Sequence, residues 1–346
     1  MTTRRIRLNG FKTSAVAHTT AGLWRHPTSQ SHRYTDLDLP GPLVDAAWLR
    51  EHLHRPGLVV LDATVRQKPL PTDAAGPGDH GAAFPAPLPT GRDDWERVRI
   101  PGSRYADLAG VLAAPEAGFS YAMPDSERFT AALRELGVGP DSRVVVYDDD
   151  SRMWSTRLWW VLGEIGLHTV AVLDGGLREW LAQGGPVASG PAADLDAADP
   201  ATPAAGWQAE QRGTLVDKSE VLDVMNGSRS DRVLVCALGE DAFRGAAPTR
   251  YSRRGHIPGS LNLPAKDRLL DSRGRFLPRP ALEEAVSGLP ADTGTLLYCG
   301  GGISATLLGF VLVLLGRDDV TVYDGSIEEW SADPSLPMTG TSPAGG

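Results

Sequence analysis

A chain of 346 residues with only two cysteines, Cys236 and Cys299, is neither a disulfide-stapled scaffold nor a zinc-cluster protein, and it suits a reducing, cytoplasmic compartment. A formal net charge of −9 argues against a nucleic-acid partner held by phosphate electrostatics, and the longest apolar stretch, Leu307 to Leu315, is far too short to span a bilayer. At roughly 150 residues per domain, the length allows about two domains.

In chain order, the first 35 residues carry Arg4, Arg5, Arg7, Lys12, Arg25 and Arg33 with no acid before Asp36. That composition is transit-peptide-like but has no apolar core, and we read 1–41 as a disordered extension or a start placed too early. Short apolar runs then follow at Leu58–Leu61, Arg143–Tyr147 and Val170–Leu173, separated by a Pro/Gly-rich loop (69–91) and by a helical stretch at Ser126–Leu136 capped by Asp125 or Ser126. Residues 188–212 are rich in Ala, Pro, Gly and Asp, the composition of a stiff linker. Beyond it, further runs lie at Arg232–Cys236, Thr295–Cys299 and Val320–Tyr323, with helical spacing over Pro280–Ser287. Continuous apolar runs without alternation suit strands buried on both faces, so each half is expected to be an α/β open parallel sheet covered by helices.

The halves repeat one another. Leu43-Val44-Asp45 returns as Leu215-Val216-Asp217, Ile100-Pro101-Gly102-Ser103 as Ile257-Pro258-Gly259-Ser260, and Val146-Tyr147-Asp148 as Leu297-Tyr298-Cys299. Asp174-Gly175 with Glu179-Trp180 returns as Asp324-Gly325 with Glu329-Trp330. Four landmarks in one order indicate a duplicated domain. The expected division is 42–187 and 213–338, with a tail over 339–346.

In open α/β sheets, ligands bind at the carboxyl ends of the strands. Cys299 stands at such an end, followed by Gly300-Gly301-Gly302-Ile303-Ser304 and a helix from about Ala305. Three glycines let the backbone turn tightly and aim several N–H groups at one point, an anion-binding nest at a helix start. Oriented amides and the helix dipole favour a thiolate over a thiol. A buried structural cysteine is the commoner fate of a lone Cys, and Cys236, closing an apolar strand, is read that way.

The Cys299–Ser304 loop, the upstream Gly255-His256-Ile257-Pro258-Gly259-Ser260 and the downstream Tyr323-Asp324-Gly325-Ser326 with Glu329-Trp330 together resemble the tandem rhodanese-type sulfurtransferases. The resemblance covers about residues 42–338. It implies two rhodanese-like domains, the first catalytically silent because Asp148 replaces the nucleophile, the second active. It also implies ping-pong chemistry without metal or organic cofactor: Cys299 takes a sulfane sulfur from a small anionic donor as a persulfide and passes it to a thiol or to cyanide, with a thioredoxin-like protein among the acceptors. In such families Arg and Lys directly after the cysteine go with thiosulfate, and small neutral loops such as Gly300-Gly301-Gly302 go with 3-mercaptopyruvate. The mercaptopyruvate enzymes carry arginines after the first strand of the active domain, in an Asp-x-Arg and an Arg-aromatic-x-Gly pattern. Here those places read Cys236-Ala237-Leu238 and Ala242-Phe243-Arg244-Gly245, leaving Arg244 and Arg250 as candidates for an anionic donor. His256 is read as scaffold, Arg99 takes its place in the first copy, and Trp154, Trp159 and Trp160 are read as filling the core or the interface. Two other functions are weighed: a non-catalytic sulfur-carrier or protein-binding module, against which Cys299 and its glycines stand, and a cysteine phosphatase, whose closing Arg six positions after the cysteine is here Ala305.

Overall fold

The computed structural model describes residues 37–67, 90–149, 151–191, 207 and 211–340. Most of the N-terminal extension, of the Pro/Gly-rich loop, of the linker and of the tail lies outside the described residues, although Leu37 of the extension is buried and Thr339 of the tail bridges to His256. The first half runs β1 (Leu43–Val44), α1 (Ala46–His52), β2 (Leu58–Asp62), α2 (Gly91–Arg97), β3 (Arg104–Tyr105), α3 (Ser126–Glu135), β4 (Arg143–Tyr147), α4 (Met153–Glu164), β5 (Val170–Leu173) and α5 (Gly176–Ala182). The second runs β6 (Leu215–Val216), α6 (Lys218–Met225), β7 (Arg232–Cys236), α7 (Glu240–Arg244), β8 (Leu261–Asn262), α8 (Ala265–Leu269), α9 (Arg279–Ala285), β9 (Gly294–Tyr298), α10 (Ile303–Leu314), β10 (Val320–Tyr323) and α11 (Ser326–Ala332).

Each half holds one five-stranded sheet, in the orders β1-β5-β4-β2-β3 and β6-β10-β9-β7-β8. Every strand pairing is parallel, and the registers correspond: Asp62 lies opposite Tyr147 as Cys236 lies opposite Tyr298. All residues of the central strands β4 and β9 are buried, which is why they read as unbroken apolar runs. Their terminal tyrosines explain the recurring Ile-Pro-Gly-Ser turn. The Ile257 N–H donates to the Tyr298 hydroxyl at 3.0 Å, and that hydroxyl donates to Ser260 Oγ at 2.7 Å. In the first half Ile100 N–H and Ser103 Oγ meet Tyr147 Oη at 3.4 and 2.9 Å.

Helices α4 and α10 are buried along almost their whole length, α10 with mainly apolar side chains and α4 with Ser155, Thr156, Arg157 and Glu164 buried among its apolar ones. They pack on each other between the two sheets. Trp159 meets Phe310 edge-on with centroids 4.9 Å apart, and a Cβ on Gly309 would lie 2.5 Å from Trp160 Cζ3. Gly309 thus interrupts the Leu307–Leu315 run because the Trp160 ring occupies the space a side chain would need. One apolar core passes through this contact from Leu61 and Val146 to Leu297 and Val322, while each half keeps a smaller core on its other face, around Trp180 and around Trp330. Among the described residues no helix is long and apolar enough to cross a membrane.

Candidate active site

Cys299 follows the last residue of β9 and is 2% exposed. Its loop is shorter than expected at the helix end. α10 begins at Ile303, so Ile303 and Ser304 form the first turn of the helix, and Gly302 precedes it at φ +75°. The loop is gripped from α11. Ser326 Oγ accepts the N–H groups of Cys299 at 3.1 Å and of Gly302 at 3.0 Å, and its hydroxyl donates to the Tyr323 carbonyl at 2.9 Å. Ser326 itself sits at φ +48° and is fully buried, an uncommon conformation for a serine, held by these three bonds. The Gly302 amide therefore braces the loop and does not face a ligand. The amides of Gly300, Gly301, Ile303 and Ser304 donate to no protein group among the described residues.

Gly300 and Gly302 are glycines for different reasons. A Cβ on Gly300 would lie 1.9 Å from Tyr251 Oη, so the tyrosine occupies the place where a longer loop side chain would stand. At Gly302 the positive φ combines with the Asp324 carbonyl, 2.9 Å from a Cβ. Burial, and after it the neighbouring Cys299, push the Tyr251 hydroxyl above its ordinary range, so it is a neutral donor beside the loop. Tyr251 also lines a cavity of about 170 Å3, with Arg250, Thr249, Gln67, Leu238 and Ile327 among its walls.

Of the two candidate arginines, only Arg250 is brought to this cavity. Arg244 pairs with Asp241 at 2.5 Å, three residues apart on one face of α7, and both side chains are exposed, at 59% and 72%. His256 is scaffold: it stacks on Phe243 at 3.7 Å and its Nδ1 lies 2.8 Å from the Phe243 carbonyl oxygen. Its counterpart Arg99 lies over Trp95 and donates to the Gly190 carbonyl. Cys236 is fully buried, and burial pushes its thiol up to about 12, which leaves it an inert core group.

The first half shows what the same cradle does when it holds an acid. Asp148 follows β4 as Cys299 follows β9. Its carboxylate accepts the N–H groups of Arg152 (3.0 Å), Trp154 (3.2 Å) and Ser155 (2.9 Å), the Ser155 hydroxyl (2.9 Å) and the Arg152 guanidinium (2.7 Å). Gly176, at φ +51°, matches Ser326, and a Cβ on it would lie 1.6 Å from Arg152 Nη1. The arginine thus takes the room that the Ser326 side chain uses in the second half. The loop amides close on an anion supplied by the chain itself.

The halves also reach into one another. Asp324 accepts the Met123 N–H at 3.1 Å, and Asp174, its equivalent, accepts the Phe276 N–H at 2.9 Å. These reciprocal bonds give the pair of halves the character of a two-fold, self-complementary interface. Neither they nor the Ser326 grip were legible in the sequence, although the Asp-Gly recurrence was the visible trace of both.

A family model described as the rhodanese-like domain matches residues 45–183 and 241–333. The thiosulfate/3-mercaptopyruvate sulfurtransferase 1, mitochondrial, of Arabidopsis thaliana is 28% identical over 327 residues, 90% of this chain and 81% of its own length. The 3-mercaptopyruvate sulfurtransferase of Homo sapiens is 30% identical over 299 residues, 83% of this chain and 91% of its own. Among solved structures, SseA from Escherichia coli, described there as having the rhodanese fold of 3-mercaptopyruvate sulfotransferases, superposes with a TM-score of 0.65 at 26% identity, covering 82% of this chain and 98% of that one.

Proposed function

The chain belongs to the rhodanese-like domain family, and from that membership we propose that it is a sulfurtransferase whose residues 213–338 form the active domain and 42–187 the silent one. The Cys299 thiolate attacks the transferable sulfur of a small anionic donor, thiosulfate or 3-mercaptopyruvate. The bond from that sulfur to the donor breaks, the donor fragment departs with the electron pair, and a Cys299 persulfide remains. The amides of Gly300, Gly301, Ile303 and Ser304 stabilise the terminal sulfur and the departing anion, while Gly302 holds the turn. Arg250 receives the anionic end of the donor in the cavity beside Tyr251. A thiol, such as that of a thioredoxin-like protein, or cyanide then removes the outer sulfur.

The observation that carries this reading is the contrast between two equivalent strand ends. In the first half the helix-start amides embrace the Asp148 carboxylate. In the second, a sulfur stands at the same place and amides are left for an anion brought from outside. Two unpaired cysteines, both buried, agree with work in a reducing compartment such as the cytoplasm.

The test is thiocyanate formation with each donor, together with intact mass after donor treatment. The wild-type protein is expected to form thiocyanate and to gain one sulfur atom, about 32 Da of persulfide chemistry, whereas Cys299→Ser does neither. Unchanged thiocyanate production in Cys299→Ser would sink the assignment.

A further inference from the structure

Arg157 lies on α4, in the first half, and its side chain is 1% exposed. Counting from the first residues of the two equivalent helices, its counterpart on α10 is Leu307. The arginine reaches across the interface. Its Nη2 donates to the Tyr121 carbonyl at 2.8 Å and to Asp324 Oδ1 at 2.5 Å. Its Nη1 is buried without a hydrogen-bond partner among the described residues and lies 3.2 Å from where a Cβ on Gly302 would stand. Asp324 Oδ1 lies 3.5 Å from the same point. A buried cation and a largely buried carboxylate therefore flank the glycine that ends the Cys299 loop.

The loop has a second acid beside it. Glu328 Oε2 would lie 3.1 Å from a Cβ on Gly301, while its Oε1 accepts the N–H and hydroxyl of Ser120 at 3.0 and 2.7 Å. Tyr251, against Gly300, is neutral, as is the deeply buried Cys236 thiol, and Arg250 lines the cavity with Tyr251. Asp324 and Glu328 thus oppose negative charge on the sulfur, and Arg157 is the buried cation set against them at the loop. The equivalent Asp174 makes its backbone bond across the interface but no ion pair among the described residues, and burial raises its carboxyl above the ordinary range. Leu307 stands where a counterpart of Arg157 would, and the cations that act on Asp174 are Arg152 and Arg275.

We propose that Arg157 is a positioning residue of the active site, contributed by the silent half: it holds Asp324 as a neutral pair beside the Cys299 loop, so that no uncompensated buried charge stands next to the loop that carries the nucleophile. The proposal takes Cys299 as the nucleophile from the functional reading above, but alkylation measures it without any sulfur donor.

The experiment is the pH dependence of Cys299 alkylation by iodoacetamide in the full chain, with the adduct located by mass, in four proteins: wild type, Arg157→Met, Asp324→Asn and the double variant. Leaving Asp324 unpaired moves the half-maximal pH of alkylation upward by about one unit, roughly a ten-fold slower reaction on the neutral side of the profile. Asp324→Asn leaves the guanidinium unopposed and moves it downward, and the double variant returns near wild type. A purely structural role would disturb the single variants in the same sense. An unchanged Arg157→Met profile, or two single variants shifting in one direction, would overturn the proposal. Should Arg157→Met fail to fold, Asp324→Asn decides alone, since an unshifted or upward profile there has the wrong sign. Shifted profiles in a protein that forms no persulfide would overturn the sulfurtransferase reading and leave the charge pairing standing.

Discussion

Substituting Gly300 by alanine probes the contact that makes this loop small. The added Cβ would stand 1.9 Å from Tyr251 Oη, 2.6 Å from Cζ and 2.9 Å from Cε2, where ordinary carbon contacts need about 3.5–4 Å. The φ of Gly300 is not in the left-handed region, so the backbone accepts alanine and the cost is steric. Either the tyrosine ring moves into its cavity or the loop moves away from the sulfur. Overpacking of this kind costs about 1–3 kcal/mol, and a loop displaced by that amount loses roughly 5- to 150-fold in kcat/KM at about 1.4 kcal/mol per factor of ten. The assay is thiocyanate formation from 3-mercaptopyruvate and cyanide in Gly300→Ala, Tyr251→Ala and the double variant. Removing the ring gives the methyl group room, so Gly300→Ala costs little in the Tyr251→Ala background, and the cycle shows a coupling of about 1–3 kcal/mol. Equal losses in both backgrounds would refute the steric account. The same contact bears on the donor, because a basic residue after the cysteine cannot be seated while Tyr251 occupies its place.

Two further outcomes follow from the surroundings. Arg250→Ala is expected to lower kcat/KM for 3-mercaptopyruvate by roughly 10- to 100-fold, the loss of a charge-assisted hydrogen bond of about 1.5–3 kcal/mol, while Arg244→Ala, at an exposed ion pair, stays near wild type; equal effects would remove Arg250 from the donor site. Asp62, the counterpart of Cys236, is fully buried, and burial raises its carboxyl from 3.8 to about 7 despite the bonds from Thr64. A raised acid adds stability below its unfolded value and loses it as pH rises through about 7, so Asp62→Asn should gain on wild type from pH 4 to 8 by on the order of 4 kcal/mol, three units at 1.36 kcal/mol each. Denaturation midpoints of the two proteins that stay parallel across that range would contradict the buried, protonated acid.

Strand positions were legible because burial on both faces writes itself into a run of neighbours, as in Arg143–Tyr147 and Gly294–Tyr298. The cysteine loop was legible too, since a cysteine, three glycines and a helix start are contiguous, and the comparison of halves set Asp148 against Cys299. The cap of α3 follows the same rule: Asp125 accepts the Arg128 N–H three residues on. Such features depend on covalent neighbours, whose geometry the chain carries wherever it folds.

What lay beyond the sequence depends on distance in the chain. Ser326 holds the Cys299 amide from 27 positions away and Arg157 reaches Asp324 across 167. No local period distinguishes Arg157 from any other arginine on a helix, or Arg250 from the exposed Arg244. Side-chain direction and the packing of α4 on α10 decide that Arg157 is buried at the loop and that Arg244 faces water. The amino-acid sequence by itself determined two copies of one α/β sheet and a thiol set between a strand end and a glycine-rich helix start. Only the tertiary structure decided which amides stay open, which arginine faces the cavity and which charge from the first half stands beside the Cys299 loop, because those choices are made by surfaces that meet only after both sheets have formed.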